Sequence, residues 1–197
     1  VITYFFNHAF FSATNMVALF RSISITLIGT IGTTFVFCCG MMDLSIGALS
    51  GLSGMVAAIC MVNYGVPTAA AIIIALLVAA LFGILNGIIV NQFGIPAFIA
   101  TLGTQYIGRG IVNVISHGRA YNGFPDNFNF WGGFGPFGIP WSVYIALILS
   151  VIAALVLKYT VYGRSLMAVG GNAETARVSG INVKLVRIEA FVISAVL

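Results

Sequence analysis

The chain has 197 residues, of which 60% are hydrophobic and only 6% are Asp, Glu, Lys or Arg, and its mean hydropathy is +1.12. Water-soluble domains carry about 25% charge, so these few charges cannot clothe a surface in water, and the apolar excess must face lipid as well as a core. The net charge of +4 does not point to nucleic acid, because five of the eight basic residues, Lys158, Arg164, Arg177, Lys184 and Arg187, fall in one stretch, as beside membrane spans.

Val1 to Phe11 reads as the tail of an earlier span; it lacks the basic region and small-residue cleavage site of a signal peptide. A span needs about 20 mainly apolar residues. Whole spans are expected over Ile23 to Met42, Ser45 to Val62, Thr68 to Val90, Ala97 to Ser116 and Trp141 to Leu157, with Ile188 to Leu197 opening another. The fold class expected is therefore all-α, a polytopic transmembrane helical bundle forming one domain over 1–197, with five whole and two partial spans. A chain that starts at Val1 and stops inside an apolar run reads as a piece of a longer protein. Pro67, Pro96 and Pro140 each stand where an apolar run begins, a place at which a missing N–H costs nothing.

Basic residues gather in cytoplasmic loops, which places 158–187 inside. Counting crossings back from it, 117–140 lies outside, 91–95 inside, 63–67 outside and the Met42/Asp43 junction inside, with Arg21 and Arg119 outside against the rule. Gly47 with Gly51, and Gly83 with Gly87, have the four-residue spacing that lets helices approach closely in a membrane.

Asp43 is the only acidic residue in the first half of the chain, between two apolar runs. A carboxylate beside hydrocarbon is costly. Asp43 either caps the helix that follows, accepting from an N–H two or three residues on, or lines a translocation path beside Ser45. Asn86, Thr101, Thr104 and Gln105 are polar residues inside spans, fit for hydrogen bonds between helices or for contact with a polar solute. Arg109 sits in the outer half of its span, able to snorkel or to pair. Gly51-Leu-Ser-Gly54 has the look of an intramembrane protease motif, yet the only histidines, His8 and His117, lie outside or at the edge of the spans, so Ser53 lacks a base. Cys38, Cys39 and Cys60 form no CxxC pair and have no histidine at ligand spacing, which leaves no metal site.

The segment 162–187 is too polar to cross. Asn172 is placed to cap a short helix from Ala173 to Ser179, Glu174 suits the positive end of its dipole, and Gly180 can terminate it. That is either a plain connection between spans or a docking element with a fixed shape. No Gly-x-x-x-x-Gly-Lys-Ser/Thr occurs, so the chain has no phosphate loop of its own and ATP energy would come from a partner.

Three stretches, in order, carry a resemblance: Gly40-Met-Met-Asp-Leu-Ser-Ile-Gly47; Gly83-Ile-Leu-Asn-Gly87 with Ile95-Pro-Ala-Phe-Ile-Ala-Thr-Leu-Gly103 and Arg109-Gly110; and Gly163-Arg164 with Gly170-Gly-Asn-Ala-Glu-Thr-Ala-Arg-Val-Ser-Gly-Ile181. Together they resemble the permease subunits of bacterial ABC importers of the ribose, xylose and autoinducer-2 branch. Members usually read Gly-Gly-Ile-Asp-Leu-Ser where this chain has Cys39-Gly-Met-Met-Asp-Leu-Ser45, a departure that spares Asp43 and Ser45. The resemblance implies about ten spans, so the chain would lack most of the first helix and the final third. It implies a multi-pass protein of the bacterial inner membrane, working as two permease copies with a cytoplasmic ATPase that holds ATP and Mg and with a periplasmic or lipid-anchored solute-binding protein; the permease itself has no catalytic residues, cofactor or metal. Gly163, Arg164, Gly170, Gly171, Asn172, Glu174, Ala176, Arg177, Ser179, Gly180 and Ile181 would form the ATPase-coupling loop within 158–187. Asp43, Ser45, Asn86, Thr101 and Gln105 remain the candidate path residues. A secondary transporter without an ATPase is the alternative; it commonly shows inverted repeats, and no second copy of the Asp43 segment occurs.

Overall fold

A computed structural model describes residues 12–197; the expected earlier span over Val1 to Phe11, with His8, lies outside them. The described chain is helical: α1 (Ala13–Cys38), α2 (Ile46–Val62), α3 (Thr68–Phe93), α4 (Ala97–Ser116), α5 (Asp126–Gly132), a 3-10 turn at Pro136–Gly138, α6 (Trp141–Tyr159), α7 (Val161–Gly171), α8 (Ala173–Val178) and α9 (Val183–Val196). No strand is present among the described residues, only an isolated bridge between Phe134 and Pro140. The chain is an all-α polytopic membrane protein.

Pro67, Pro96 and Pro140 hold the N-cap positions of α3, α4 and α6 in extended backbone. Gly94, at φ 63, closes α3 in the left-handed region that glycine enters freely. Helix α1 starts ten residues before the expected Ile23 because its polar residues do not interrupt it. Ser24, Thr26, Thr30 and Thr34 each donate a hydroxyl to the carbonyl four residues back, at 2.6–2.9 Å, and Ser12 caps the start. It ends at Cys38 rather than Met42, since Gly40 turns the chain at φ +74 and residues 41–45 are not helical.

Among the described residues, three helices are long and apolar enough to cross a membrane by length and composition, those over Thr14–Cys38, Thr68–Phe93 and Trp141–Tyr159. Helix α2, with 17 residues, is about 25 Å long, short of the ~30 Å hydrocarbon core. Helix α4 has the length, 20 residues, but carries Thr101, Thr104, Gln105, Arg109 and Asn113. The α6 residues Leu147, Ile148, Val151, Ile152 and Leu155 and the α3 residues Ile73, Leu77 and Leu81 are exposed, as lipid-facing positions are.

Helices α3 and α9 pack most closely. A Cβ on Gly83 would lie 2.8 Å from the Val192 Cα, and one on Gly87 2.8 Å from the Ile188 Cα, so that glycine pair does the packing its spacing predicts. The Gly47 and Gly51 pair does not: a Cβ there would meet nothing within 4 Å. Helices α2 and α4 cross at Ala48 and Gly108 instead, where a Cβ on Gly108 would lie 3.6 Å from the Ala48 Cβ, while Gly47 and Gly51 face open space. The main core joins Ile31, Phe35 and Val36 of α1 to Leu166, Val169, Val186, Ala190 and Phe191.

The loops separate to two ends, as the crossing count requires. At the basic end the Asn91 Nδ2 donates to the Lys184 carbonyl at 3.0 Å, and Gly40 meets Gly170 of α7. At the other end the Asn63 Nδ2 donates to the Tyr121 hydroxyl at 3.3 Å, Phe124 and Phe128 cover Ala57, Met61 and Ala71, and Arg21 stands 5.5 Å over the Phe134 ring. That cation–π contact gives Arg21 a place outside the basic end.

Candidate functional sites: a buried carboxylate and a capped basic-end loop

The non-helical segment 41–45 buries Met41, Asp43 and Ser45 in the bundle, with Met42 and Leu44 exposed. Its neighbour Asn86 lies seven residues before the end of α3, about 10 Å in, and Thr101 four residues into α4, about 6 Å in. Non-helical backbone at such depth survives only where protein or a water-filled cavity satisfies it. Here the Leu44 N–H donates to the Thr101 Oγ1 at 3.1 Å, and the Ser45 N–H to the Asp43 Oδ1 at 2.9 Å. The same Oδ1 accepts from the Ser45 Oγ at 2.6 Å, while Oδ2 accepts from the Ser194 Oγ of α9 at 2.8 Å.

The Ser45 Oγ in turn accepts from the Asn86 Nδ2 at 3.1 Å. Since its one proton goes to Asp43, the amide orientation of Asn86 is fixed, and the Asn86 Oδ1 is left buried without a donor among the described residues. Ser45, Asn86, Thr101 and Ser194 are fully buried, and Asp43 nearly so. The carboxylate accepts from an N–H two residues on, but that N–H belongs to Ser45, itself the N-cap of α2, so Asp43 does not cap the helix as expected; it instead ties together the α1–α2 junction, α3 and α9. Gln105 is half-buried and stands outside this network. Ser194 went unnoticed in the sequence because nothing local relates it to a residue 151 positions away.

At the basic end the short helix lies where its caps predict, over Ala173–Val178. The Asn172 Oδ1 accepts from the N–H groups of Glu174 and Thr175 at 3.0 and 2.9 Å. The far end closes with the Ile181 N–H donating to the Ala176 carbonyl at 3.0 Å, around Gly180 at φ +85. Glu174 and Arg177 pair at 3.3 Å in the open, and Asn182 begins α9 by accepting from the Leu185 N–H.

Sequence reasoning missed α7. Gly163, Gly170 and Gly171 mask its helical character, while the legible signals were Thr160, whose Oγ1 caps the Gly163 N–H at 3.1 Å, and the spacing of buried Leu166 and Val169. Two of these glycines serve close approach: a Cβ on Gly170 would run into the Cys38 carbonyl oxygen, and one on Gly163 into that of Leu157, whereas one on Gly171 would meet open space. Ala176 is buried, anchoring α8, whereas Arg164, Gly171, Ser179 and Gly180 are exposed and Ile181 is half-buried. Val178, an apolar side chain, is 83% exposed. Beneath α7, burial pushes the Tyr162 hydroxyl well above its ordinary pKa, with Glu189 and Cys39 adding to the rise, and the hydroxyl has no hydrogen-bond partner among the described residues.

Among the clefts that open toward the bundle surface, one of ≈ 530 Å³ lies among α1, α2, α3 and the end of α9, with Thr26, Thr30, Thr33, Ser50 and Ser53 in its wall. A smaller one, of ≈ 210 Å³, lies between α2 and α4. The Ser53 Oγ donates to the Ser50 carbonyl at 3.1 Å and so is held by its own helix. Among the described residues no three His, Cys, Asp or Glu are grouped to hold a metal.

Residues 15–197 match the family model described as branched-chain amino acid transport system / permease component. The chain is 37% identical over 195 residues to the ribose import permease protein of Haemophilus influenzae, covering 97% of this chain and 60% of that one. It is 38% identical over 188 residues to the D-allose transport system permease protein of Escherichia coli, covering 95% of this chain and 57% of that one. To the autoinducer 2 import system permease protein of Yersinia pseudotuberculosis it is 32% identical over 188 residues, covering 95% and 53%. The chain therefore spans between half and two thirds of the length of these relatives. No solved structure matches it.

Proposed function

Because this chain belongs to the branched-chain amino acid transport system / permease component family, we propose that it serves as the membrane-spanning subunit of an ATP-driven importer in the bacterial inner membrane, moving a sugar or sugar-like solute. The relatives named as ribose, D-allose and autoinducer 2 permeases support the solute class. ATP and Mg are held by a separate cytoplasmic ATPase, and the solute arrives on a binding protein at the opposite face.

The observation that carries the reading is the α7–α8 segment. It is polar, capped at both ends of α8, and held to the bundle through buried Ala176, Leu166 and Val169, yet it presents Val178 bare to water. An exposed apolar tip on a rigid polar mount is what a partner's groove takes up. ATP-driven closure of two ATPases would then rock two permease copies between outward-open and inward-open states, a rigid-body switch of subunits about an interface. Within each copy, Asp43, Ser45, Asn86 and Thr101 form the lock behind the path, and Gln105 belongs to its wall.

The test is Val178→Asp in the full-length protein, purified from membranes with its neighbouring subunits. The variant should insert and unfold as the unaltered protein does, lose the copurifying ATPase, and lose uptake. Normal ATPase recovery and uptake would overturn the coupling assignment.

A further inference from the structure

Beside the Ala48–Gly108 crossing, α2 and α4 part to form the cleft of ≈ 210 Å³, lined by Gly47, Gly51, Arg109, Val112 and Asn113. Its α2 wall is bare backbone, because Gly47 and Gly51 have open space where a Cβ would stand. Its α4 wall is polar. Arg109 is exposed and makes no ion pair or hydrogen bond among the described residues.

Arg109 follows Ala97 by twelve residues, about 18 Å along α4; with α4 crossing the membrane, as the permease reading requires, that depth lies near the middle of a ~30 Å core. It is still about 10 Å from Ser116, beyond what its side chain spans by snorkelling. Gln105 and Asn113 stand one turn to either side, so the three form a polar ladder along α4. Turned to lipid, that ladder is costly; charged groups at such depth face the bundle interior or water. A second copy of these residues offers Arg109 no carboxylate there. Of the four acidic residues, Asp43 is consumed by its own network, Asp126 and Glu174 lie in the end segments, and Glu189 lies beneath α7 near Tyr162.

We propose that the α2–α4 cleft is a solute-contacting station on the translocation path. Arg109 and Asn113 hydrogen-bond the oxygens of a hydroxyl-rich solute, and the glycine wall of α2 leaves room for it to pass. This rests on the permease reading and adds to it residues and a location.

The experiment uses the full-length protein assembled with its ATPase and binding protein in liposomes, with Cys38, Cys39 and Cys60 replaced by Ala. In Gly51→Cys, a charged water-soluble methanethiosulfonate should modify the introduced thiol, and ribose delivered with its binding protein should slow the modification severalfold. Gly51→Leu should cut ribose uptake at least tenfold with the ATPase still bound, and Arg109→Gln should raise KM more than it lowers the maximal rate. A thiol at position 51 that stays unreactive, or that cross-links two permease copies without labelling, overturns the proposal, as does normal uptake by Gly51→Leu. Failure of the permease reading shows itself separately, as unaltered protein that binds no ATPase and imports nothing.

Discussion

Replacing Asp43 separates its structural work from any direct dealing with solute. In Asp43→Ala the Ser45 N–H and Oγ and the Ser194 Oγ all lose their acceptor. A buried donor left unsatisfied costs about 1–3 kcal/mol, and a hydrogen bond to a charged group is worth about 1.5–3 kcal/mol. Two offsets apply: the Ser194 hydroxyl can turn to its own helix, and the desolvation cost of a buried charge disappears. The net loss is then about 2–4 kcal/mol. Asp43→Asn keeps an oxygen for Ser45 and gives Ser194 an amide N–H to accept from, for a loss of about 1 kcal/mol. Thermal unfolding of the full-length protein should place Tm in the order unaltered, Asn, Ala. An Ala variant that unfolds with the unaltered protein would refute the account. So would an Asn variant of unchanged Tm that carries no solute, for then the charge itself would be needed in transport.

Gly83→Val should lower Tm by the equivalent of about 1–3 kcal/mol through overpacking against Phe191 and Val192, whereas Gly54→Ala, in open space, should leave it unchanged or raise it. Tyr162→Phe should leave Tm unchanged or raise it, because the hydroxyl removed is buried and unpartnered. The raised pKa of Tyr162 means the folded state keeps this proton as the unfolded chain releases its own near pH ~10. This group therefore leaves stability independent of pH below that value and lowers it as pH rises above, and ultraviolet titration should find Tyr162 ionising only on unfolding. Asn172→Ala should weaken α8 by about 1 kcal/mol, read as faster amide hydrogen exchange at Glu174 and Thr175.

Much of this was legible because membrane spans and helix caps are local. The apolar runs fixed α2, α3, α4 and α6 to within a turn, and Asn172 with Gly180 located α8. What stayed hidden was either distant or disguised. The Asp43–Ser194 bond joins residues 151 positions apart. Helix α7 looked like loop because glycine placed for close approach cannot be told in sequence from glycine placed for a turn. The same ambiguity misled the reading of Gly47 and Gly51: spacing identified a smooth helix face, but only the packing shows that the face is left open. Arg109 was visible as a charge inside an expected span; that it has no partner among the described residues was not.

The meeting of Gly40 with Gly170 has a mechanical consequence. A Cβ on Gly40 would lie 3.2 Å from the Gly170 carbonyl oxygen, and one on Gly170 would collide with Cys38, so main chain lies against main chain on both sides of the joint. Side chains soak up small displacements by changing rotamer, but here none intervenes, and close-packed interiors scarcely compress. The joint therefore has no slack. A push on α7 reaches Gly40 undiminished, and three residues further along the chain is Asp43, whose carboxylate holds the junction to α3 and α9.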